Sequence, residues 1–100
     1  MGGVTRLEDR PFSYRRALER IRVLWEAGAV TFTRHAETRM QQRGLTMLDV
    51  EHLIRRGGHV TEHSKPGTLW RYKMEGKTIE HKRMSCVVEM NGTLIIITVI

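Results

Sequence analysis

The segment Thr93-Leu94-Ile95-Ile96-Ile97-Thr98-Val99-Ile100 constrains the fold of this chain more than any other. Its residues are apolar at both odd and even positions. A strand with that pattern hides both faces, so it belongs in the interior of a sheet rather than at an edge. Asn91-Gly92 stands immediately before it. That dipeptide predicts a two-residue type I′ hairpin, which needs positive φ at both central residues. Met84 to Met90 is then the partner strand. The last strand is expected to be held within the sheet rather than frayed.

The pattern upstream divides into two halves. Ser13 is placed to cap a helix running to about Ala27, with Gly28 as its stop. Tyr14, Ala17, Leu18, Ile21, Leu24 and Trp25 fall at helical spacing and form its packing face. Arg15, Arg16, Glu19, Arg20 and Arg22 occupy the other side. Val30-Thr31-Phe32 reads as a short extended segment. The stretch Thr33 to Gly44 reads as a second helix, closed by Gly44. Thr46 opens a third, with Asp49 completing a capping box and Met47, Val50, Leu53 and Ile54 as its apolar face. Gly57-Gly58 ends it.

After Gly58 the period changes. His59 to His63 reads as a strand and Lys65-Pro66-Gly67 as a turn. In Leu69 to Met74, Trp70, Tyr72 and Met74 share one face, and Arg71 and Lys73 the other. Glu75-Gly76-Lys77 reads as a second turn, and Lys77 to Arg83 has no clear pattern. The expected architecture is α+β: N-terminal helices packed on one face of a small, mainly antiparallel twisted sheet, in a single domain. Residues 1–11 are expected to form a loose arm, 12–29 the first helix, and 30–100 the α+β domain.

Charge narrows function. The 100 residues carry 17 basic against 11 acidic side chains, a formal charge of +6. Thirteen of the 17 are arginine, whose planar fork binds two phosphate oxygens at once. That balance points to nucleic acid or an acidic protein partner. Cys86 is the single cysteine, which excludes an internal disulfide and agrees with a cytoplasmic location. No apolar run approaches the ~20 residues of a membrane span, and the first residues have no signal-peptide core.

The candidate site begins with His35, Arg39 and Arg43 at i, i+4 and i+8, one stripe on the second helix. Histidine can donate or accept a proton near neutral pH, and arginine stays charged against phosphate. Arg71, Tyr72, Lys73, His81, Lys82 and Arg83 are candidates for RNA binding. Plainer roles compete with each of these. His35 can serve near a helix end by bonding backbone. Arg39 and Arg43 can be solvated or ion-paired. Trp70 and Tyr72 can pack in the sheet. His59, His63, His81 and Cys86 lack CxxC or HExxH spacing, so no metal or other cofactor is expected.

The order FTRHAETRMQQRG, then LTMLDVEHLIRRG, then strands ending GTLIIITVI resembles the DUF4258 family of small bacterial domains over roughly residues 30–100. That family resembles the RelE-like and MqsR-like toxins of toxin–antitoxin pairs. The resemblance implies a RelE-like fold and a metal-independent endoribonuclease. Relatives of the RelE type cut messenger RNA, often in the ribosome, and are neutralised by an antitoxin protein. It also implies that His35, Arg39 and Arg43 do the chemistry. The alternative from charge alone is a non-catalytic basic module that binds RNA or an acidic protein.

Overall fold

The computed structural model describes residues 10–100. Most of the expected N-terminal arm, residues 1–9, lies outside the described residues. Helix α1 spans Tyr14–Glu26, and the Ser13 hydroxyl caps it by accepting from Arg16 N at 3.2 Å. Strand β1 (Val30–Phe32) follows, then α2 (Arg34–Arg43) and α3 (Met47–His52). A π-helical turn, Leu53–Gly57, prolongs α3. Strands β2 (Gly58–Ser64), β3 (Arg71–Lys77), β4 (Arg83–Met90) and β5 (Leu94–Val99) complete the chain.

The sheet order is β1-β5-β4-β3-β2. β5 is therefore interior, as its two apolar faces require. β1 runs parallel to it, and the other neighbours are antiparallel. Beyond β5, Ile100 exchanges both backbone hydrogen bonds with Ser85, at 2.8 and 2.9 Å. The fold is thus α+β, with the helices against one face of a mixed but mostly antiparallel sheet.

One core holds the layers together. Ala17 and Ile21 of α1, Ala36 of α2, and Val50, Leu53 and Ile54 are all buried against Tyr72, Met74, Cys86, Val88, Leu94 and Ile96. Each fully buried aliphatic side chain contributes about 1.5–3 kcal/mol. Met47, assigned to that apolar face by spacing, is instead 52% exposed, and its neighbour Leu48 is 62% exposed. α3 is only six residues long, so it turns too little of its surface inward to bury Met47.

Local chemistry explains the element ends. Thr33 Oγ1 accepts from Ala36 N at 3.0 Å and donates to Ile97 O at 2.8 Å. Ile97 is the extra residue of a bulge in β5, so one hydroxyl caps α2 and satisfies a carbonyl at that irregular step. Gly44 takes φ 65° and ends the helix. Thr46 and Asp49 form the expected capping box. α1 is tied to the π-helical turn by Arg22 Nε donating to Ile54 O at 2.9 Å, and by an Arg55–Glu26 ion pair at 2.7 Å.

Two turn assignments are corrected. The loop after β4 has three residues, because Met90 pairs with Leu94. Only Gly92 has positive φ there, so the turn is not type I′. Glu75-Gly76-Lys77 is not a turn but the end of β3, paired with Ser85, Met84 and Arg83. Gly76 sits in a strand because backbone crowds it: a Cβ there would strike Gly57 O. Glycine inside a strand often marks such a close approach. The real turn is 78–82, where Thr78 N donates to Lys82 O at 2.7 Å and the buried Thr78 hydroxyl accepts from Lys82 N.

Cys86 is fully buried, and desolvation pushes its thiol up to about 12. The thiolate is the reactive form. A water-soluble disulfide reagent at pH 8 is therefore expected to leave native protein unlabelled and to label it stoichiometrically in denaturant. Fast labelling of the folded chain would contradict this placement.

Candidate functional site

Strand register assembles a site from residues far apart in sequence. His59 of β2 pairs with Glu75 of β3, and Glu75 pairs with Ser85 of β4. Lys77 pairs with Arg83 beside them. Side chains directly opposite one another stand about 5 Å apart at Cβ. These residues, with Thr61 and Ile100, line an open basin of about 500 Å³ that Arg43 joins from the end of α2.

Four cationic or protonatable groups therefore meet one carboxylate. Thr61 Oγ1 is buried and lacks a partner at full hydrogen-bond geometry. Its hydroxyl dipole is nonetheless the strongest influence holding the Glu75 carboxyl below its usual range; burial opposes it, and Lys73, His59 and Arg83 assist. Because the folded value is lowered, ionised Glu75 favours the fold above the ordinary carboxylate range. That contribution is lost as pH falls through the lowered value. Glu75 is thus an anion wherever a neighbouring imidazole could work as a base.

The sequence-derived candidates separate. Arg43 and Arg83 line the basin; His35 and Arg39 do not. His35 is exposed in the first turn of α2, and Arg43 is the last residue of that helix. Eight residues of helix put them about 12 Å apart along the axis. Arg71 lies on the helix-free face of the sheet, bonded to Glu89 at 2.6 Å. Lys73 is half-buried on that same face. Tyr72 is 2% exposed, and its hydroxyl accepts from Phe12 N at 2.9 Å. Its ring is core, so its assignment as an RNA contact is corrected to a packing role. His81 sits in the 78–82 turn with φ 65°, and Lys82 faces Glu80 at 3.9 Å.

His59 and Glu75 were missed as a pair. Period-two alternation puts each on the helix-free side of its own strand, but nothing local says that the strands align them. The misread turn at Glu75-Gly76-Lys77 concealed the register.

Fold and basin define a small α+β domain whose sheet sets a histidine and a glutamate side by side among the cationic side chains of Arg43, Lys77 and Arg83. The chain belongs to the family described as DUF4258, domain of unknown function, whose model matches residues 32–100. Helix α1 lies outside that match although it shares the core. No curated protein and no solved structure gives a significant match. Among the described residues, no helix is long and apolar enough to cross a membrane.

Proposed function

We propose that this domain is a toxin-type endoribonuclease, neutralised by an antitoxin protein, which cleaves RNA in the basin around His59 and Glu75. The observation that carries the proposal is the cross-strand His59–Glu75 pair set among Arg43, Lys77 and Arg83. The sequence reading, in which the DUF4258 family resembles RelE-like and MqsR-like toxins, points the same way.

RNA carries its own nucleophile. In the proposed step, neutral His59 takes the proton of a 2′-hydroxyl. The oxygen attacks the adjacent phosphorus, the bond to the 5′-oxygen breaks, and a 2′,3′-cyclic phosphate forms. The Lys77 ammonium supplies the proton to the leaving 5′-oxygen. Ionised Glu75 orients the imidazole and stabilises the imidazolium that develops. Arg43 and Arg83 oppose the charge building on the phosphoryl oxygens. Every bond change uses groups of the RNA and of this chain, so the route needs no metal.

The test is incubation of purified protein with end-labelled RNA in the presence of a chelator, alongside expression of the chain alone in a bacterial host. Cleavage to fragments ending in cyclic phosphate, with growth arrest, is the expected result. Salt-sensitive RNA binding without cleavage would identify a non-catalytic basic module instead.

A further inference from the structure

A second pocket lies at the opposite end of the sheet. It has a volume of about 530 Å³, within the range of small-molecule sites. Phe12 and Trp70 supply an aromatic wall, backed by the buried ring of Tyr72, and Leu69 and Met90 add aliphatic surface. Arg10 and Arg16 stand at its margin. Neither arginine has an ion-pair partner among the described residues. Among the described residues, no carboxylate lines the pocket.

The wall is held in place. The Tyr72 hydroxyl fixes the backbone of Phe12, and the two rings stack at 6.3 Å. Arg20 lies over Phe12 at 5.9 Å, and the His63 and Trp70 rings meet in a T-shaped pair with centroids 5.4 Å apart. An aromatic surface accepts a flat ring of any base by stacking. Two guanidinium groups beside it, unpaired among the described residues, accept an anion through paired hydrogen bonds. A ligand with only one of these features leaves half of the pocket unused.

We propose that this pocket binds one nucleotide, with its base against the aromatic wall and its phosphate between Arg10 and Arg16. The site is separate from the basin: Tyr72 and Lys77 are five residues apart on β3, about 17 Å. It stands whether or not the basin cleaves RNA. The nucleotide is either free or part of a strand, and the two sources are separable by experiment.

The indole N–H resonances of the full-length protein provide the readout, with Trp25 as internal reference. Adenosine monophosphate is titrated in one arm, and a deoxyadenylate trinucleotide, which lacks the 2′-hydroxyl needed for cleavage, in the other. Saturable movement of the Trp70 signal, with Trp25 static, is expected in at least one arm; which arm responds names the source. Adenosine alone and inorganic phosphate alone should each bind at least about tenfold more weakly. The double variant Arg10→Ala/Arg16→Ala should weaken binding by a similar factor while leaving the rest of the spectrum in place. A static Trp70 signal at millimolar concentrations of both ligands would overturn the proposal. So would equal affinity in the double variant.

Discussion

Replacing His59 by alanine is expected to lower the rate of RNA cleavage at least about 100-fold, the lower end for loss of a general acid or base. Replacing His35 by alanine is expected to change it less than about twofold, because solvent-screened surface charges act weakly at such separation. The contrast is sharp because both residues are exposed histidines. His35 shares a helix with Arg43 yet sits a helix length away from the basin. His59 comes from a different strand yet lines the basin with Arg43. Glu75→Gln keeps the shape of the side chain and removes its charge, so it should slow cleavage while RNA affinity holds or rises. The measurement is single-turnover cleavage of one end-labelled RNA by all three variants, with folding checked by circular dichroism. Full activity in His59→Ala would remove this residue from the reaction. Loss of activity in His35→Ala alone would move the chemistry to α2.

The second large effect is on stability. Gly76→Val is expected to cost at least about 3 kcal/mol, the upper part of the range for overpacking. Valine is ordinarily favoured in strands, so propensity predicts the opposite sign. Packing decides the matter: a Cβ at Gly76 meets Gly57 O and comes within 2.7 Å of Leu53 Cδ1. Gly58, its cross-strand partner, is equally confined, with a Cβ there 2.6 Å from Leu53 O. Backbone at the π-helical turn cannot rotate away as a side-chain tip would. For a domain of this size the loss corresponds to a melting temperature at least about 12 °C lower. Gly67→Ala is the control, since nothing lies within 4 Å of a Cβ at that position. A Gly76→Val melt like that of the control would show that the turn yields.

The parts of the fold legible in the sequence were those with local causes. Ser13, Gly44 and the Thr46–Asp49 box act within a few residues, so those helix ends could be read directly, whereas the Thr33 cap emerged only from the structure. The apolar run after Gly92 announced an interior strand because burial on both faces leaves no polar alternation. Gly76 misled because glycine has two opposite uses, a turn or a close approach, and only the opposing chain distinguishes them. The π-helical turn had no sequence mark, since Leu53 to Gly57 reads like the end of any helix. β1 was recognised as extended, but its parallel pairing with β5 depends on a segment about 60 residues away.

The same division runs through function. From sequence alone came the arginine-rich charge, the α+β class, the helices with their caps, and the inward strand, since each rests on composition or on neighbours along the chain. Tertiary structure alone decided which cations share a basin, that His59 faces Glu75, and that Tyr72 belongs to the core. The reason is register: a shift of one residue turns every side chain of a strand to the other face. That register is set by packing against helices and glycines distant in sequence.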